Sequence, residues 1–419
     1  MFRNAKNQRS GNYSAFANWA SALLVIVSLN ATAGGQEISP ATTAIPPVLT
    51  GIDVLKQNGF KDLVGKRIGL ITNHTGLDFQ GCETAVLLHE AKNVDLVTLF
   101  SPEHGYQGKL DQSTIGNDKD KATGLQIVSL YGKTRRPTAE MLADIDVLVF
   151  DIQDIGARFY TYISTMGEAM IAANEHGKRF VVLDRPNPID GVSIAGPMLD
   201  HGTESFVGFH HLPIRHGMTI GELAMMFHSE LNLSAPLDVI RCQGWHREMT
   251  FDECGSVWVN PSPNMRSLTQ AFLYPGVGML ETSNLSVGRG TDTPFEVIGA
   301  PWIEPIRFAQ SLDKVPGMVF VPIRFTPDAS RYKDEACGGV NLVITDRTAF
   351  DPIRLGITLA VTLQRLYPDH WQAERANKLL GSQSTLDAIL AGQSVSEVML
   401  QTKIGLDDFA QRRSEFLLY

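Results

Sequence analysis

Five short runs of almost unbroken Val, Ile, Leu and Phe recur between residues 67 and 242: RIGLITN (67–73), VDLVTLF (94–100), DVLVFDIQD (146–154), RFVVLDRPNP (179–188) and LDVIRC (237–242). A strand with one face in water alternates apolar and polar residues, so runs this continuous describe strands covered on both faces, the condition of a parallel sheet. Helical patterns fill the intervals. In YTYISTMGEAMIAANEHG, Ile163, Met166, Met170 and Ala173 recur on one face and Gly177 supplies a stop. In TIGELAMMFHSEL, Thr219 and Glu222 have the capping-box spacing ahead of a stripe of Leu223, Met226, Phe227 and Leu231. Repeated βαβ units predict an α/β fold, a Rossmann-like doubly wound and mostly parallel sheet over residues 50–266. After residue 266 the texture turns to Gly, Thr and Pro. A second, smaller α/β domain over 267–419 follows, with strands at MVFVPIRF and GVNLVITD, helices near 353–366, 372–380 and 383–391, and an opening loop that folds back towards the first domain.

The ends of the chain and its charge narrow the setting. Arg3, Lys6 and Arg9, the apolar ASALLVIVSL and Ala31-Thr32-Ala33 have the three parts of a secretory signal, which predicts cleavage after residue 33 and export, most simply to a periplasm. The apolar run is short for a bilayer span. Residues 34–49, with paired Pro46-Pro47, read as a mobile leader. A formal charge of −9 and the absence of a basic, aromatic-interleaved run argue against nucleic acid as a partner. The four cysteines, Cys82, Cys242, Cys254 and Cys337, allow three complete pairings in an oxidising compartment, with Cys242 and Cys254 nearest in sequence; free buried thiols are an equal reading.

In an open parallel sheet, ligands bind beyond the carboxyl ends of the strands, and here every predicted strand ends in polar chemistry. The first ends in Asn73 and His74, the second in Glu103 and His104, the third in Asp151, Gln153 and Asp154, and the fourth in Asp184, Arg185 and Asn187. Each has a structural alternative: hydrogen-bonded loop histidines, an Asp184–Arg185 ion pair, Asp154 as a helix cap. Glu103 is the hardest to explain as scaffold, because Pro102 and Gly105 fix the backbone around a carboxylate that follows directly on an apolar strand. GARFYTY adds Arg158, Tyr160 and Tyr162. PIRHGMT sets Arg215 and His216 ahead of a helix N-terminus, a natural anion site. GRGTDTPFE contributes Arg289, Thr291 and Glu296 from the second domain. Arginines pair with carboxylates bidentately and tyrosines stack on sugar faces. No dinucleotide, P-loop, zinc-protease or nucleophile-elbow motif occurs, and the spacing of His210, His211 and His216 fits no standard metal motif, so no cofactor or metal is expected.

The stretches GLITNHTG, LFSPEHG, SLYGKTRRPT, VFDIQDIGARFYTYISTM, DRPNPIDG, GPMLD, RHGMTIGELA, PSPNM (with Asn264), YPG, LETSNLSVGRGTDTPFE and GAPW stand in one order along the chain. Together they resemble, over nearly the whole mature chain, the exo-β-N-acetylmuramidases of the NamZ type. The resemblance implies a Rossmann-like catalytic domain, a smaller C-terminal domain, and hydrolysis of the terminal non-reducing N-acetylmuramic acid from peptidoglycan fragments. It points to Glu103 as the catalytic glutamate, with His104, Asp151, Gln153 and Asp154 nearby. Glycoside cleavage usually needs an acid and a second carboxylate. The expectation is Glu103 as general acid/base, Asp151 as its partner with Asp154 in reserve, and Arg158, Arg185 or Arg289 on the lactyl carboxylate. Two other classes compete: an exported muropeptide-binding protein without catalysis, and an esterase or amidase using Ser101 and His104.

Overall fold

The computed structural model describes residues 47–109, 116–132 and 134–419. The expected signal segment and all but the last three residues of the expected leader lie outside them. Of those three, Pro47 is exposed, Val48 is buried against Cys242, Trp245 and Cys254, and Leu49 bridges to Gln243, so the last two belong to the fold.

The large sheet has seven strands. β1 (Arg67–Thr72), β2 (Asp95–Ser101), β3 (Asp118–Lys119), β4 (Gln126–Ser129), β5 (Val147–Asp151) and β6 (Arg179–Leu183) precede a two-stranded ribbon of β7 (Ala195–Met198) and β8 (Pro213–Arg215). β9 (Leu237–Ile240) completes the sheet in the order β3-β4-β2-β1-β5-β6-β9. All pairings are parallel except the edge hairpin β3–β4. Without β3 this is the doubly wound order, which reverses direction between β1 and β5. Alternation within each apolar run serves both faces. Ile68, Leu70, Val147, Val149 and Val181 join one core layer, and Ile71, Leu148, Phe150 and Val182 join the other. The runs are continuous because neither face meets water.

The second layer holds the helices Tyr162–Glu175 and Ile220–Glu230, whose expected stripes are buried, with Leu231 only partly so. Thr219 and Glu222 do form a capping box. This core runs on without a break into the C-terminal region, where β10 (Val297–Ala300), β11 (Met318–Phe325) and β12 (Cys337–Ile344) form an antiparallel sheet in the order β10-β12-β11. Part of the stretch read as loop is a helix, Leu268–Val277, which abuts the helix Pro352–Leu366 through Gly276. A Cβ on Gly276 would lie 2.0 Å from the Pro352 carbonyl oxygen, so only glycine permits that approach. No described helix is long and apolar enough to cross a membrane. All four thiols are free, with Cys82 exposed and the others buried.

Candidate active site

The carboxyl end of β2 leaves the sheet through a tight turn. Gly105 N donates to Pro102 O at 3.1 Å, and both His104 (φ 69°) and Gly105 (φ 74°) are left-handed. That conformation costs a non-glycine residue about 1–2 kcal/mol, so other contacts must hold it; His74 N donates to Tyr106 O at 2.8 Å. The turn leaves Ser101 buried and Glu103 half-buried. Glu103 Oε2 accepts a hydrogen bond from the hydroxyl of Thr161, the residue that precedes the helix Tyr162–Glu175.

Glu103 and His104 line a pocket of about 230 Å³. Aromatic rings build much of its wall: Tyr160 meets Tyr162 edge-on at 4.9 Å between centroids, and Tyr274 meets Phe159 at 5.2 Å and Phe295 at 4.7 Å. Burial pushes the Tyr160, Tyr162 and Tyr274 phenols above their ordinary 10, so they stay protonated. The Tyr162 hydroxyl donates to Pro261 O at 2.5 Å. Opposite chemistry comes from the C-terminal region: Glu281, Thr282, Arg289 and Lys378. Arg289 Nε donates to Glu281, and its guanidinium lies 5.3 Å from the centre of the Phe295 ring. The loop that opens the C-terminal region thus folds back onto the first, as expected from its sequence.

Several predicted site residues are placed elsewhere. Asp151 is fully buried and does not share the Glu103 pocket; Arg185 holds it through Nε at 2.6 Å and Nη2 at 3.0 Å, and the Thr84 hydroxyl donates to it at 2.5 Å. The ion pair of Arg185 is therefore with Asp151 and not with its neighbour Asp184. Arg185 and Gln153 instead line a separate pocket of about 160 Å³ beside Phe251 and Trp258, with Gln153 donating to the carbonyls of Asp154 and Pro186. Asp154 accepts from Gly156 N at 2.7 Å, and its other oxygen is buried without a partner. Burial raises its carboxyl to about 7, while His216, 3.8 Å away, is driven down to about 3 by burial and the nearby Arg413 and Arg215.

Arg158 cannot grip a substrate with its terminal nitrogens, because they donate to four carbonyls, those of Pro197, Leu212, Leu379 and Leu380. Arg215 is taken by Asp190 and Ile189 O. The expected anion site after it is filled from within: Asp184 accepts from Thr219 Oγ1 at 2.8 Å and Gly221 N at 2.7 Å at that helix start. Asn187 holds the turn between Ile189 N and Met218 O, and Asn73 accepts from Thr75 and lies beside Tyr162. His74 supports the Glu103 turn from behind, its Nε2 2.6 Å from Asn260 O and burial lowering its pKa. Asn264 is buried next to Met265 of the pocket wall. Thr291 bonds Gly288 O and Glu296 accepts from Gln270, so both shape the loop that carries Arg289.

Sequence reasoning missed Thr161, Ser262, Tyr274, Glu281, Phe295 and Lys378, all of which line the pocket. Thr161, Ser262, Tyr274, Glu281 and Phe295 lie inside stretches that carry the resemblance, so a signal was present; Lys378, in a short C-terminal helix, had none. Among the described residues no cluster of three or more His, Cys, Asp or Glu could hold a metal ion.

Two family profiles match the chain. The one described as exo-β-N-acetylmuramidase NamZ, N-terminal, covers residues 68–269, and its C-terminal counterpart covers 272–419. The peptidoglycan β-N-acetylmuramidase NamZ of Bacillus subtilis (strain 168) is 41% identical over 403 residues, which is 95% of this chain and 97% of that protein. A crystal structure of a DUF1343 family protein from Bacteroides fragilis NCTC 9343 is similar at TM-score 0.82 and 41% identity, over 89% of this chain and 99% of that one. A second DUF1343 family protein from the same organism is similar at TM-score 0.73 and 30% identity, with the same coverage. With a Rossmann-like sheet, a smaller C-terminal sheet and matches along nearly its whole length, the chain belongs to the NamZ exo-β-N-acetylmuramidase family of glycosidases.

Proposed function

We propose that the protein is an exo-acting peptidoglycan hydrolase that releases N-acetylmuramic acid from the non-reducing end of cell-wall fragments. The observation that carries this reading is a chamber with two carboxylates, Glu103 and Glu281, on a wall of aromatic rings. Glu103 is the general acid: Thr161 anchors Oε2, leaving Oε1 to meet the glycosidic oxygen. Glu281 takes the second role, which the sequence had offered to Asp151, and acts on water or on the anomeric carbon. Tyr160 and Tyr274 stack against the sugar, and Arg289 meets the lactyl carboxylate that distinguishes muramic acid from N-acetylglucosamine. Exo action is supported by the inner wall, where Tyr162, Met265 and Phe295 belong to the core, so the chamber ends where a second inward ring would need to go. The setting that suits such an activity is outside the cytoplasm, in cell-wall turnover, as the signal-like first 33 residues suggest.

A chromogenic muramic acid glycoside tests the assignment. Glu103→Gln should fold as the wild type and release dye at least about a hundredfold more slowly. Dye release near the wild-type rate in that variant would remove Glu103 from the chemistry. Internal cuts in polymeric glycan without free N-acetylmuramic acid would end the exo reading.

A further inference from the structure

The chamber holding Glu103 opens outward into a larger space. Glu281, Thr282, Arg289 and Lys378 line both, and beyond them lies a mouth of about 690 Å³. Four cations, Arg289, Arg331, Arg375 and Lys378, face this mouth against two carboxylates, Glu281 and Glu374. Arg289 is already paired with Glu281, so the excess positive charge belongs to the outer rim. In a chain whose formal charge is −9, this is a local reversal of sign.

The position of Arg331 is built at some cost. It is flanked by Ser330 (φ 63°) and Tyr332 (φ 60°), with Asp334 (φ 61°) two residues on; left-handed non-glycine residues are uncommon, and three alternating ones more so. The loop is held there by contacts with the segment that carries Arg289. Asp328 N donates to Gly290 O and the Tyr332 hydroxyl donates to Asn284 O, each at 2.8 Å. A Cβ on Gly290 would stand 2.5 Å from Ala329 N, so glycine is what lets the two loops close on each other. Strain retained at the rim of a cleft calls for a functional explanation, and its product here is a guanidinium at the mouth.

We propose that this mouth is a subsite for the leaving part of the substrate, and that it selects saccharides carrying carboxylates beyond the scissile bond. The proposal rests on the glycosidase reading of the inner chamber and deepens it. A muramic acid chain entering by its non-reducing end presents, one disaccharide further in, another lactyl carboxylate or, where a peptide is amide-linked there, the carboxylates of that peptide. Arginine forks match carboxylates in two-point geometry. At a rim open to solvent such pairing is screened by salt.

The test compares two substrates with the same N-acetylmuramic acid at the cleaved end, one with a neutral nitrophenyl leaving group and one with N-acetylglucosaminyl-N-acetylmuramic acid. The kcat/KM of the wild type and of the Arg331→Gln/Arg375→Gln variant is measured on both at low and high salt. The expected result is a loss of about tenfold on the acidic substrate and less than about twofold on the neutral one, with high salt abolishing only the wild-type preference. Equal losses on both substrates, or no loss on either, would overturn the subsite while leaving the inner chamber's chemistry intact. Failure of the wild type to cleave either substrate would remove the glycosidase reading, and the subsite with it.

Discussion

Replacing Asp151 with Asn separates scaffold from catalyst at the carboxyl end of β5. The aspartate is wholly buried, bonded twice to Arg185 and once to Thr84. The amide keeps the shape but removes the charge and turns an N–H group towards the guanidinium. Breaking one side of a buried pair leaves the other ion uncompensated, at about 3–5 kcal/mol. With an unfolding entropy of roughly 2 cal/mol/K per residue, a chain of this length should lose about 4–6 °C in Tm. Typical domains have about 5–15 kcal/mol in hand, so the variant should still be folded at room temperature. Turnover of a muramic acid glycoside should then stay within a few fold of wild type. The assay pairs thermal melting with dye release on the same preparation. A wild-type Tm together with a loss of at least about a hundredfold in turnover would mean that Asp151 touches the reacting bond, and the structural assignment would be wrong.

Asp154→Asn tests burial through pH. The native carboxyl titrates at about 7 against an ordinary 3.8, so between those values the unfolded chain has lost a proton that the folded one keeps, and stability falls as pH rises, by up to about 4 kcal/mol. Melting curves should therefore show little difference from wild type near pH 4 and a more stable variant at pH 8; a pH-independent gap would contradict the burial argument. Arg158→Met should cost several kcal/mol in urea unfolding, since removing one partner from buried carbonyls costs about 1–3 kcal/mol for each group left unsatisfied, and Lys should restore only part because it lacks the fork. A raised KM with unchanged stability would return Arg158 to the substrate.

The sheet was legible because its physics is local: an uninterrupted apolar run declares two covered faces whatever covers them. β4 escaped because QIVS is only four residues long with polar ends, and the helix Leu268–Val277 because Pro275 and Gly276 look like a turn until Pro352 is placed against them. That Glu103 stands at a pocket was readable from the Pro102–Gly105 turn that carries it there. Asp151 and Arg158 were not, since a charged residue at a strand mouth reads the same whether its partner is a ligand or the protein. What decides is an Arg185 side chain or the Leu379 carbonyl, and neither is written near the residue it satisfies. Glu281 lay within a stretch carrying the resemblance but had no strand end to mark it.

That Lys378 closes the same chamber as Glu103 has a consequence for biogenesis. The chamber is assembled from the early and the late portions of the polypeptide, so its walls meet only after nearly all of the chain has emerged and docked. Contacts of such long sequence separation form slowly. A molecule clipped ahead of Lys378 would lack that wall, and the chamber would stand open on the side that Glu281, Arg289 and Lys378 share.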